Sequence, residues 1–280
     1  MQVRKNSGEL VPFDIKSLKK SLTRSGANSI EVEQVLDGIN KELYNGMTTK
    51  ELYQKAFEGL KKFRSSYAAR YSLKRAVKDL GPEGYFFEKW IAKLFKEQGF
   101  ETTTGITVQG TAVTHEIDVV ACNGKDLIFC ECKFRNDIDA KISVTTPMYI
   151  LSRLKDVMDN PYEFFGLRMK PTKGFLVTNA YLTADSIAFS EHYGIDLISW
   201  NYPEEHSIKF LVDRSALYPL TCLTVLTPEQ EKHIMEKGII LVKELVAQPE
   251  VLQSLDLDQK TRTQVLKEAE DLLDVSCLTC

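Results

Sequence analysis

Two runs of β-forming residues flank a tight-turn signal, and that pattern confines the middle of this 280-residue chain to a hairpin. The first run is His115-Glu116-Ile117-Asp118-Val119-Val120, and the second is Leu127-Ile128-Phe129-Cys130-Glu131-Cys132-Lys133, with Asn123-Gly124 between them. A tight hairpin sets Asp118 beside Glu131. Side chains alternate along a strand, so Glu131 and Lys133 share one face while Cys130 and Cys132 share the other. Two carboxylates and one ammonium therefore converge on a single patch.

Hard carboxylate oxygens hold one or two Mg²⁺ ions, which keep exchangeable waters. Such an ion lowers the pKa of a bound water and neutralises charge on a phosphate in its transition state. Lys133 is placed to orient that water or to offset the developing charge. The chemistry these residues point to is metal-dependent phosphodiester cleavage. On a solvated face the same groups would make only a cross-strand ion pair, with Asp118 capping a strand.

The flanking sequence extends the hairpin into a layered domain. Residues 84–95 read as a helix with an apolar stripe of Phe87, Ile91, Leu94 and Phe95, closed by Gly99 and carrying Glu88 beside the stripe. Gly174-Phe175-Leu176-Val177-Thr178-Asn179 reads as a buried strand, residues 183–193 as a helix, and Ile195-Asp196-Leu197-Ile198-Ser199-Trp200 as a further strand. Helix, hairpin, helix, strand, helix, strand is the order of an α/β sandwich.

With those residues in view, positions 84 to about 202 resemble the Mrr-type branch of the PD-(D/E)xK restriction-endonuclease-like superfamily. The resemblance implies that Glu88 is the family's helix glutamate, Asp118 its strand aspartate, and Glu131 with Lys133 its E-x-K strand. It further implies that all four are catalytic and that Asp118 and Glu131 hold Mg²⁺. The glutamine that this family often carries on the helix after the lysine is absent from residues 140–158.

A second pattern opens the chain. Val3-Arg4-Lys5-Asn6-Ser7-Gly8-Glu9-Leu10-Val11-Pro12-Phe13-Asp14 is followed by a helical stretch over 17–25, a capped helix start at Thr48-Thr49-Lys50-Glu51-Leu52, and Ser66-Tyr67-Ala68-Ala69-Arg70-Tyr71. This resembles the ATP-cone, a nucleotide-sensing module best known in ribonucleotide reductases. The resemblance implies ATP or dATP as an allosteric ligand, with Val3 near the base and Lys5 and Lys16 near the phosphates. Thr48 would bond the adenine edge or cap its helix. Lys16 stands one place before the family's lysine position, where this chain has Ser17. Read without the resemblance, Lys5 is an edge-strand charge and Lys16, Lys19 and Lys20 form a solvated helix face. No Walker-type phosphate loop occurs, so nucleotide is expected to be sensed rather than hydrolysed by a motor.

Charge is distributed unevenly. The whole chain carries a net charge of −3, yet residues 1–100 hold 19 Lys and Arg against 12 Asp and Glu. From Lys61 to Lys78 run seven cations without an acid, with Phe63, Tyr67 and Tyr71 interleaved. A basic helix there would suit a phosphate backbone; the other reading is a solvated helix with core aromatics. Beyond residue 216 the apolar spacing gives three short amphipathic helices, the first starting at Thr227-Pro228, with packing or self-association as their expected role. The six cysteines are scattered, and Cys277-x-x-Cys280 is a lone pair. No stretch approaches the ~20 apolar residues that cross a bilayer, and the polar N-terminus is unlike a secretory signal.

The expected fold class is multi-domain α/β. An ATP-cone helical bundle with a β-hairpin occupies 1–83, a restriction-endonuclease-like sandwich 84–215, and a small helical region 216–280. The expected function is a cytoplasmic, nucleotide-regulated, Mg²⁺-dependent endonuclease acting on DNA as a homo-oligomer, an architecture suited to defence against foreign DNA. RNA is the other substrate left open, and a non-catalytic ATP-sensing scaffold is the alternative class.

Overall fold

The computed structural model describes residues 1–5 and 8–274. The chain forms two compact units: residues 1–73 together with the C-terminal stretch from Leu220, and Lys74–Pro219.

The first unit opens on β1 (Gln2–Arg4) and β2 (Leu10–Pro12), paired antiparallel with Val3 opposite Val11. Asp14 caps α1 (Ile15–Arg24), its carboxylate accepting from the N–H groups of Lys16 and Ser17 at 2.9 and 3.2 Å. Asn28 with Glu31 starts α2 (Ser29–Glu42), and Thr48 with Glu51 starts α3 (Thr49–Lys61), both as capping boxes that satisfy the orphan N–H groups of a first turn. With α4 (Ser65–Tyr71), these helices enclose a core that includes Leu22, Val32, Val35, Leu36, Ile39 and Leu60.

From α5 (Leu73–Lys78) the chain passes through α6 (Tyr85–Glu97), β3 (Glu101–Gln109), β4 (Thr114–Cys122), β5 (Leu127–Cys132) and β6 (Lys141–Ile142). It continues through α7 (Thr145–Val157), the short hairpin β7 (Tyr162–Phe164) and β8 (Leu167–Met169), β9 (Lys173–Val177) and β10 (Tyr181–Leu182), then α8 (Ala184–Tyr193), β11 (Ile195–Ile198) and α9 (Ile208–Ser215). The main sheet has the order β11-β9-β5-β4-β3, antiparallel from β3 to β5 and parallel from β5 to β11. Parallel neighbours need a crossover, and α7 and α8 supply the two. The Asn123-Gly124 turn is made as its sequence dictates: Gly124 has φ 82°, and the Asn123 side chain accepts from Lys125 and Asp126 N–H at 3.0 and 2.7 Å.

Both sheet faces are covered. Val157 of α7 packs with Val120, Leu127 and Phe129, and Ile150 with Leu176, Ile195 and Leu197. On the other face Phe95 of α6 meets Phe175 edge-on at 5.6 Å. α7 approaches β9 so closely that a Cβ on Gly174 would lie 2.3 Å from Leu154 Cδ1. Gly174→Ala is therefore expected to destabilise the protein by about 1–3 kcal/mol through overpacking. Urea denaturation checks this, and an unchanged midpoint would mean that Leu154 yields freely.

The C-terminal helices α10 (Pro228–Glu236), α11 (Val242–Ala247) and α12 (Gln259–Leu273) belong to the first unit. Thr227 caps α10 with Gln230 completing a capping box, and Pro228 sits in the first turn, as the sequence signals. Arg70 of α4 is buried, and its Nη2 donates to the carbonyls of Asp271, Leu272 and Asp274 at 3.2, 3.0 and 2.6 Å, closing the C-terminus of α12. The buried Glu268 accepts from the Thr224 N–H and hydroxyl at 3.0 and 2.7 Å.

That arrangement corrects the expected basic helix over 61–78. α3 ends at Lys61, and α4 and α5 are separate helices on either side of Ser72. Arg70 is consumed by α12. In the second unit, the Lys74 ammonium stands 3.4 Å from the Tyr181 ring centre without a hydrogen-bond partner, and burial pulls its pKa down to about 8. Two of the seven cations are thus withdrawn from solvent. Cys122, Cys130, Cys132 and Cys222 are buried thiols, while Cys277 and Cys280 lie outside the described residues. Among the described residues no helix is long and apolar enough to cross a membrane.

Candidate functional site

The register that pairs Val119 with Cys130 brings Asp118, midway along β4, to Glu131 and Cys132 near the end of β5. Asp118 Oδ2 accepts from the Cys132 N–H at 2.6 Å. Lys133 continues the strand, its N–H donating to the Val177 carbonyl at 2.8 Å, and its ammonium returns to Glu131 Oε1 at 2.5 Å. Glu131 and Lys133 share a face, as strand alternation requires. The segment beyond is pinned by the residues after β9. Thr178 donates to the Lys133 carbonyl at 2.5 Å, and Asn179 both accepts from the Arg135 N–H and donates to its carbonyl, each at 2.8 Å. Gly84, with φ 82°, turns the chain into α6, and one helical turn later Glu88 faces the same carboxylates.

Charge accumulates there. Burial, followed by the Glu131 charge, pushes Asp118 up to about 6 against the opposing pull of the Cys132 N–H, Lys133 and Arg153. Burial likewise raises Glu88 to about 7, with Asp118, Glu116 and Glu131 adding repulsion. Asp118 and Glu88, both raised by burial and by neighbouring carboxylates, carry charge that a divalent cation would offset. Among the described residues no group of three or more His, Cys, Asp or Glu forms a ready-made metal cage. A pair of carboxylates completed by waters is the arrangement Mg²⁺ commonly takes.

Three residues of this patch were missed in the sequence. Arg153 of α7 lies 3.3 Å from Glu131 Oε2, donates to the Tyr149 hydroxyl at 2.8 Å, and donates to the Glu116 carbonyl. Tyr149 stands one turn earlier on the same helix, as an i, i+4 partner must. Glu116 shares strand parity with Asp118, which is a signal the sequence did carry. His115 is turned to Asp156 at 2.7 Å, away from the carboxylates, and Asp156 also accepts from the Ala112 and Val113 N–H groups at 2.7 and 3.2 Å, tying α7 to the β3–β4 turn.

In the first unit, Val3 is buried and the hairpin is tied to the start of α3 by the Arg4 N–H, which donates to the Met47 carbonyl at 2.9 Å, and by a bridge from Arg4 to Thr48. This gathers Val3, Lys5 and Thr48 at one end of the bundle. Lys5 is exposed and pairs with Glu9 at 3.0 Å. The Thr48 hydroxyl is engaged with Glu51, accepting from its N–H at 3.1 Å and donating to its carboxylate at 2.7 Å, so it acts as a cap here. Lys16 is exposed on the first turn of α1.

Comparison with known proteins matches a model described as the ATP cone domain to residues 1–80, one described as a restriction endonuclease to residues 82–201, and one described as the AF1548-like C-terminal domain to residues 218–273. An uncharacterized protein of Archaeoglobus fulgidus is 31% identical over 184 residues, spanning 65% of this chain and 99% of that protein. The crystal structure of a protein of unknown function, AF1548, is 30% identical, with a TM-score of 0.56, and the match covers 69% of this chain and 99% of that one.

Proposed function

Since the chain belongs to the AF1548-like family and joins an ATP-cone domain to a restriction-endonuclease domain, we propose that it is a nucleotide-regulated, Mg²⁺-dependent endonuclease acting on DNA. The observation that carries this reading is the convergence of Asp118, Glu131 and Lys133 at one strand end, with Glu88 facing them from α6. Mg²⁺ held by Asp118 and Glu131 would supply Lewis acidity at the phosphate and a more acidic bound water. Lys133 orients the attacking water and offsets charge on the phosphate oxygens. Glu88, with a pKa of about 7, supplies a further ligand or supports the other two carboxylates.

ATP or dATP at the hairpin end of the first unit would bias the enzyme only through tighter binding to one of its states. Val3, Lys5, Lys16 and Thr48 are the residues assigned to that site. Lys5→Ala is expected to weaken ATP binding about tenfold, the loss of one charge-assisted contact. Calorimetry reads it, and equal affinity would put the phosphates elsewhere. Cutting both strands of a duplex favours a homo-oligomer.

The test is cleavage of plasmid and single-stranded DNA by the purified protein with Mg²⁺, with and without ATP and dATP. Nucleotide-dependent cutting supports the coupled reading, and cutting that ignores nucleotide reduces the first unit to a scaffold. No cutting of either DNA moves the assignment to RNA or to a binding-only protein.

A further inference from the structure

Glu131 is buried, and each of its oxygens already faces a cation: Lys133 at 2.5 Å on Oε1 and Arg153 at 3.3 Å on Oε2. The two cations differ in kind. Lys133 follows Glu131 on its own strand, whereas Arg153 arrives from α7 and is held there independently. The Tyr149 hydroxyl accepts from Nη1 at 2.8 Å, and the Glu116 carbonyl accepts from Nη2. Its side chain is only 20% exposed, so solvent screens it weakly. A guanidinium does not deprotonate in proteins, which excludes an acid–base role and leaves a permanent charge beside the carboxylates.

We propose that Arg153 is a positioning residue that competes with the divalent cation for Glu131 and so sets how much metal the site requires. This rests on the reading of Asp118 and Glu131 as the metal-holding pair. A carboxylate has about four lone-pair sites, so the obstacle to an incoming ion is charge rather than a shortage of acceptors. A unit charge a few ångströms from a dication at a part-buried site raises its dissociation constant by at least about tenfold. The contact to yield is the longer one. Arg153 keeps its hold on Tyr149 and Glu116 when it does, so the guanidinium stays beside the site with donors free for an anionic phosphate.

The experiment is calorimetric titration of the full-length protein with Mn²⁺ alone, beside single-turnover DNA cleavage against Mg²⁺ concentration. Arg153→Gln is expected to bind Mn²⁺ at least about tenfold more tightly than wild type, and Arg153→Lys to stay within about threefold, because it restores the charge. Asp118→Ala should abolish the same binding event, which locates it. Arg153→Met repeats the measurement if the Gln variant perturbs α7. Equal or weaker Mn²⁺ binding by the neutral variants, or no binding by any of the proteins, overturns the inference. The two readings fail separately. A wild type that cuts DNA while Arg153→Gln shows an unchanged Mn²⁺ midpoint removes only the competition. A wild type that cuts no nucleic acid, with binding tightened in Arg153→Gln, removes only the nuclease.

Discussion

Asp118→Ala is expected to lose Mg²⁺-dependent DNA cleavage below detection while unfolding at close to the wild-type urea midpoint. The carboxylate makes one hydrogen bond, from the Cys132 N–H, and pays for its position with desolvation and repulsion from Glu131. Removing it strands one N–H, a cost of about 1–3 kcal/mol, but relieves that repulsion, so the fold loses little and the metal site loses half its charge. Lys133→Ala should fall about a hundred- to a thousandfold in rate, the usual cost of one transition-state donor. Its removal leaves Glu131 paired with Arg153, which limits the structural damage. Plasmid nicking measures both, and unchanged cutting by the two variants would sink the assignment of this site.

The second large effect is on stability. Arg70→Ala should lower the unfolding free energy of the full-length protein by about 3 kcal/mol or more, because it removes a buried cation from three carbonyls. Those carbonyls, of Asp271, Leu272 and Asp274, close α12. Arg70→Lys should recover only part of the loss, since an ammonium cannot reproduce the fork geometry. Urea denaturation reads the change, and a shift below about 0.5 kcal/mol, the size of an ordinary surface substitution, would show that α12 is held by its apolar face alone.

Much of the second unit was legible because its signals are local. Asn123-Gly124 dictates a turn through side-chain bonding and positive φ, and strand alternation then puts Glu131 with Lys133. The stripe on α6 and the helix over 183–193 followed the same logic. β3 went unread although its Thr-rich run with Ile106 and Val108 consists of β-formers, because its partner is β4 and its half-exposed side chains give no clean alternation. In the first unit, Thr48 caps α3 where a helix start was read, whereas Asn28 and the helix it opens went unread, and Asp14 caps α1, which begins two residues ahead of the start read at Ser17.

The sequence could not reveal which cations are buried. Arg70 and Lys74 sit in a run that reads as one basic face, yet one closes α12 and the other lies against Tyr181. What the sequence determined by itself was the strand pair, the helix starts at Thr48 and Thr227 and the grouping of Asp118, Glu131 and Lys133, since each follows from neighbours within hydrogen-bonding range along the chain or across one turn. Only the tertiary structure decided that Glu88 faces that group, that Arg153 takes the second oxygen of Glu131, and that α12 packs on α4. Those contacts join residues from 22 to 202 positions apart, and their partners are chosen by how crossovers and apolar faces stack, which no local spacing encodes.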